Sequence, residues 1–198
     1  MIWFLRWLGK LLKRSTGEST SFLKPGDPGY QEERTLTSSL NKNVKIITEI
    51  FGLCDDLMVR GVNIGRNKKH ARAAVIYLDP LIDHTRLRQG LMHCLQAIEQ
   101  LPPMGITTEW LINNALSDGR VIEKNKFVEI TDEINRGSVC LLIEGLNQAL
   151  LIRLAGKTSR QIGLPVTETV SKGPHDAFNE DVRTNIALLR KRLHTSRL

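Results

Sequence analysis

The chain has 198 residues, 41% hydrophobic and 25% charged, a composition that fits one globular domain with a tail and excludes a wholly disordered chain. Its 28 basic against 21 acidic residues give a net charge of +7, a moderate excess that suits an anionic membrane surface, nucleic acid or an acidic protein as neighbour. No run approaches the roughly 20 apolar residues of a bilayer-spanning helix, and no basic–aromatic interleaving beyond residue 14 offers a base-stacking platform.

The first fourteen residues, MIWFLRWLGKLLKR, place Arg6, Lys10, Lys13 and Arg14 on one face of a helix, with apolar residues including Trp3 and Trp7 over the rest. Arg6 interrupts the unbroken apolar run that a secretory signal needs. The segment reads either as a helix lying on an anionic membrane surface or as one docking on another domain. Ser15 to Thr37 is rich in Ser, Thr, Gly, Pro and Glu and contains KPGDPGY, which reads as a flexible linker. The expected organisation is therefore helix and linker over 1–38 and a folded domain over 39–198.

Leu40, Val44, Ile47 and Phe51 recur at helical spacing, and Gly52 is a stop. Asp56 to Ile64 alternates as a strand does, and the apolar run Ala73 to Leu78, ending at Asp79-Pro80, reads as a buried strand. Asp83 is placed to cap a helix over about residues 84–100, with Leu87, Leu91, Leu95 and Ile98 on one face, stopped by Pro102-Pro103. Thr107 or Thr108 caps a short helix through Leu116, and Ser117-Asp118-Gly119 is a turn. A helix is expected from Asn125 to Asn135, then a hairpin of Ser138 to Ile143 and Ala149 to Leu154 around EGLNQ. The alternation of strands and helices predicts an α/β domain, a mixed β-sheet with an antiparallel hairpin, packed by helices.

The last helix, over about Phe178 to Leu193, is preceded by Gly173-Pro174, a sound helix start because proline's missing N–H lacks a partner there anyway. Asp176, Glu180 and Asp181 near its beginning and Arg190, Lys191 and Arg192 at its end complement the helix dipole. Phe178, Val182, Ile186, Leu189 and Leu193 form an apolar stripe, with polar Asn185 beside it.

The stretch ETVSKGPHDAFNEDVRTNIALLRKRL resembles the signature of the spore germination protein A family, of the GerA type, through Glu168, Gly173, Pro174, Phe178, Glu180, Asn185, Leu189, Arg190 and Arg192. The resemblance extends upstream. CDDLMVRGVNI is similar to that family's strand through Asp56 and Arg60, AAVIYLDPLID to its strand end through Tyr77, Asp79, Leu81 and Asp83, and SVCLLIEGLNQALLI to its hairpin through Gly145. Pro80, Ser171-Lys172 and Ala177 depart from the family pattern at turns.

The resemblance implies the soluble N-terminal domain of a spore germinant receptor A subunit, shortened so that the family's membrane part is lacking. Its implied work is germination through subunit assembly and nutrient-signal coupling, with receptor B and C subunits and other A subunits as partners. The implied location is the spore inner membrane, on its cytoplasmic (core) side. The motif residues are then expected to mediate interaction. The alternative is a module binding an amino acid or sugar in a pocket of Asp56, Arg60, Tyr77, Asp79 and Asp83. An enzyme is not expected: Asp55, Asp56, Asp79 and Asp83 suit capping and turns, the five histidines lack HExxH or HxxxH spacing, and no phosphate loop or nucleophile elbow occurs. Cys54, Cys94 and Cys140 are too dispersed for a metal site. No cofactor, metal or nucleic-acid partner is expected; the basic residues from Arg66 to Arg72 read as a solvated loop.

Overall fold

The structure is a computed structural model that describes residues 34–66, 70–116, 121–156, 180–193 and 195–196. The expected helix over 1–14, most of the linker, the turn at 117–119, and Glu168, Gly173, Pro174 and Phe178 lie outside the described residues. The packed region already includes Thr35, which bridges to Lys126, and Leu36, which is buried.

Helix α1 is Leu40–Phe51. The buried Asn43 fastens the chain ahead of it, accepting from the Thr37 N–H at 2.9 Å and its hydroxyl at 3.0 Å and donating to its carbonyl at 2.6 Å. Gly52 ends the helix at φ 64°, a left-handed conformation natural to glycine, and its N–H closes on the Thr48 carbonyl. Strands β1, Leu57–Ile64, and β2, Ala71–Leu78, pair antiparallel along all eight residues.

Beyond β2, Asp83 Oδ1 accepts from the N–H groups of Thr85 and Arg86 and caps the next helix as expected. Its body differs from the expectation. Arg86–Met92 is a π-helix that continues into α2, His93–Ala97. Leu87, Leu91 and Leu95 are nevertheless all buried, so the expected apolar face is kept.

Helix α3 is Thr108–Ala115, capped by the Thr107 hydroxyl. Strand β3, Val121–Lys124, leads into α4, Phe127–Asn135, and then β4, Ser138–Ile143, and β5, Ala149–Arg153, form the hairpin. The last helix, α5, is Val182–Leu193.

The sheet order is β1-β2-β4-β5-β3. The helix-covered α/β fold is present, but every ladder among the described strands is antiparallel rather than mixed. The reason lies in the crossover. Both β3 and β4 run antiparallel to β5, so they are parallel to each other and α4 joins them, yet β5 sits between them. The parallel relation therefore exists without a parallel ladder, as in a split βαβ unit.

Two cores follow from strand alternation. Ala73, Val75 and Tyr77 of β2 face Leu87, Leu91, Leu95 and Leu111; Ala74, Ile76 and Leu78 face Ile47, Phe51, Ile130 and Ile134. The sheet is thus covered on both faces. Gly137, at φ 85°, turns α4 into β4, and a β-carbon there would lie only 3.3 Å from the Leu81 carbonyl oxygen, so the turn sits tight against the chain leaving β2.

Candidate functional site

One cluster of charged residues forms at one end of β1 and β2. Asp56 precedes β1 and Asp79 follows β2; Leu57 opposes Leu78, and the Asp79 N–H donates to the Asp56 carbonyl at 2.9 Å. Strand pairing therefore sets two carboxylates side by side. Helix α5 supplies the counter-charges. Arg183 and Arg190 are seven residues apart, about two helical turns, and reach Asp79 and Asp56 respectively.

The Arg190 contact is the deeper. Nη2 donates to Asp56 Oδ1 at 2.7 Å and Nε to Oδ2 at 3.0 Å, a bidentate pair. Nη1 donates to the Thr195 carbonyl at 2.6 Å, and Nη2 also approaches Cys54 Sγ at 2.7 Å. Arg190 is 1% exposed. A guanidinium can be buried so completely because its donors find acceptors. Burial raises the pKa of Asp56, but hydrogen bonds from Arg190 and Cys54 outweigh it and hold the carboxyl below its ordinary value. The Cys54 thiol donates to Asp56 Oδ1 at 2.8 Å, and burial with that bond pushes its pKa up.

The Arg183 contact is more open. Its Nη2 lies 2.9 Å from Asp79 Oδ2 and 3.0 Å from the Asp79 carbonyl, and it also meets His84 Nε2. His84 Nε2 is 3.4 Å from Asp79 Oδ1. Salt screens such a pair more than the Arg190 pair.

The five residues expected to line a ligand pocket are distributed over this end of the sheet and one of its faces. Asp56 and Asp79 belong to the arginine clamps. Asp83 caps a helix. Tyr77 is fully buried, its hydroxyl without a hydrogen-bond partner among the described residues, and the Arg60 guanidinium lies 5.9 Å from its ring centroid. Burial raises the Tyr77 pKa. A cavity of about 460 Å³ lies elsewhere, between α1 and the first two strands. Among the described residues no three His, Cys, Asp or Glu side chains converge as a metal site.

Of the motif residues, Glu180 and Arg192 are exposed, Asn185 is half-buried, and Arg190 is the buried anchor. The apolar stripe is not the face that packs. Val182, Leu189 and Leu193 are 68%, 36% and 55% exposed, whereas Ala187, Leu188 and Arg190 are buried. Polar pairing, rather than the stripe, orients α5. Nothing local in the sequence marks Arg183 or His84, and Cys54 reads only as one of three dispersed thiols; the seven-residue spacing of Arg183 and Arg190 is the available signal.

The fold is a two-faced α/β domain closed by an arginine-clamped last helix, and no helix among its described residues is long and apolar enough to cross a membrane. Residues 45–198 match the family described as Bacillus/Clostridium GerA spore germination protein, and the chain belongs to that family. It is 26% identical to spore germination protein KA of Bacillus subtilis (strain 168) over 79% of this chain and 28% of that protein. It is 28% identical to spore germination protein GerLA of Bacillus cereus over 82% of this chain and 32% of that protein. The aligned part is thus about a third of the length of these curated relatives. The fold matches the crystal structure of the N-terminal domain of the A subunit of the Bacillus megaterium spore germinant receptor GerK3, with a TM-score of 0.60 and 20% identity, covering 82% of this chain and 58% of that one.

Proposed function

We propose that this domain serves as the N-terminal module of a spore germinant receptor A subunit, where it supports subunit assembly and couples nutrient binding to the receptor's response. The carrying observation is the construction of α5. Two arginines fasten the helix to the sheet, while Val182, Leu189 and Leu193 present an apolar stripe to the outside. An outward apolar face on a rigidly held helix suits a subunit or domain contact. A helix fastened by two charge pairs over a small apolar contact at Ala187 and Leu188 has a defined seat that it can leave when those pairs exchange, which suits signal coupling. Germinant receptor B and C subunits and other A subunits are the proposed neighbours, at the spore inner membrane on its core side, with residues 1–14 available to meet an anionic membrane surface. The reading assigns the domain no catalytic step.

The test is made in a full-length receptor A subunit carrying this domain. Glu180→Arg, Arg190→Glu and the pair Val182→Asp with Leu189→Asp are each scored for co-purification of the other subunits and for nutrient-triggered loss of spore optical density. Impaired assembly or response in the stripe variant, with folding retained, is expected. Normal assembly together with a normal nutrient response in all three overturns the reading.

A further inference from the structure

The outer edge of β1 pairs with no strand among the described residues. β1 is the first strand of the order β1-β2-β4-β5-β3, and all eight of its residues pair with β2 on one side only. Its other side meets no strand among the described residues. Such an edge carries a row of backbone donors and acceptors open to pairing, and proteins usually blunt it with proline, a bulge or several charges. LMVRGVNI has no proline, its register runs without a bulge, and Arg60 is its one charge.

The face beside that edge is open as well. Met58, Val62 and Ile64 belong to the core under α2 and α3, so alternation turns Val59, Gly61 and Asn63 towards α1. There the cavity of about 460 Å³ opens, with Val44 and Thr48 of α1 on one wall and Val59 and Gly61 on the other. Gly61 leaves its floor empty, since a methyl group added there meets nothing within 4 Å. Val59 remains 39% exposed. Among the described residues, Lys45 and Arg72 supply the charge of the lining, which contains no carboxylate, the Glu49 partner of Lys45 lying outside it.

We propose that this groove and edge receive an extended segment of a partner protein in which apolar and acidic residues alternate, added as a further strand on β1. Backbone pairing with β1 supplies the general attachment, apolar side chains enter beside Val59 and Gly61, and an acidic side chain meets Lys45 or Arg72. A second copy of this chain is a poorer occupant. Twofold pairing of β1 with β1 brings the two Arg60 side chains to neighbouring positions and doubles the cationic rim, and like charges across a strand pair repel.

The probe is a synthetic eight-residue peptide alternating valine with glutamate, compared with one in which lysine replaces glutamate, each titrated into the full 198-residue chain. Binding is read by fluorescence anisotropy and by amide hydrogen exchange of residues 57–64. The glutamate peptide is expected to slow exchange in β1 and to bind at least tenfold tighter than the lysine peptide. Gly61→Val fills the floor and should weaken it at least tenfold. Lys45→Glu, on the exposed side of α1, should remove most of the preference for the glutamate peptide, and it serves if Gly61→Val fails to fold. Unchanged exchange in β1, or equal affinity for the two peptides, overturns the proposal. A peptide-free dimer in sedimentation with β1 already protected overturns the choice of partner in favour of a second copy.

Discussion

Arg190 and Asp56 stand 134 positions apart in the chain and meet through two hydrogen bonds of 2.7 and 3.0 Å. The pair joins the last described helix to the first strand, so it closes the domain end to end. Arg190 is 1% exposed and the Asp56 side chain 16%. Removing one partner of a buried ion pair leaves the other charge desolvated and unpaired, which costs about 3 kcal/mol. Arg190→Ala is expected to lower unfolding stability by about that amount, read from urea melts. Arg190→Lys should restore only part of it, because an ammonium cannot reproduce the two-pronged contact. A loss within experimental error for Arg190→Ala would mean that the clamp is ornamental to the fold.

The same pair sets an acid-side dependence. The folded-state pKa of Asp56 lies below its ordinary 3.8, because the hydrogen bonds from Arg190 and Cys54 exceed the opposing effect of burial. A depressed carboxyl pKa contributes stability that is present above the unfolded value and is lost as pH falls through the folded one. The stability gap between the native chain and Arg190→Ala should therefore be full at neutral pH and narrow below about pH 4. Urea midpoints from pH 7 to pH 3 measure this, and a gap constant across that range would contradict it.

These contacts show what a local reading of the sequence can and cannot carry. α1, β2, β4 and β5 were legible because Ile47, Phe51, Ile76 and Leu141 sit at the spacing of the face they bury. β3 was not, because VIEK is three half-buried residues and an exposed Glu123 at a sheet edge, paired with residues around Leu151 far along the chain. The orientation of α5 was hidden for a related reason. Its sequence pattern points to the stripe through Val182 and Leu189, but the carboxylate that admits Arg190 to the interior lies beside β1, beyond any local window. Asp56, Asp79 and Arg190 were each noticed, whereas the pairing across the domain needed the sheet register to bring the two carboxylates together.

Arg183 and Asp79 give the contrasting case. Their side chains are 51% and 32% exposed, so water and salt weaken the pair. Arg183→Ala should cost less than about 1 kcal/mol, and raising the ionic strength to 1 M should remove much of that. Equilibrium melts at low and high salt separate the two clamps. A cost for Arg183→Ala equal to that for Arg190→Ala would show that exposure does not rank them.

Thiol reactivity offers a direct view of α5 leaving the sheet. Cys94 is exposed, Cys54 is half-buried beneath Arg190, and Cys140 is fully buried in the sheet. Burial raises the pKa of Cys54 and raises that of Cys140 much further, so little of either is thiolate at pH 8. Labelling with a thiol reagent should proceed in the order Cys94, Cys54, Cys140, with Cys140 reacting only on global unfolding. Arg190→Ala exposes Cys54 and should speed its labelling at least tenfold, while the Cys140 rate should change only as far as overall stability does. Site-resolved mass spectrometry follows the three separately. If Cys54 and Cys140 accelerate by the same factor, α5 opens only with the whole domain and is no separate moving part.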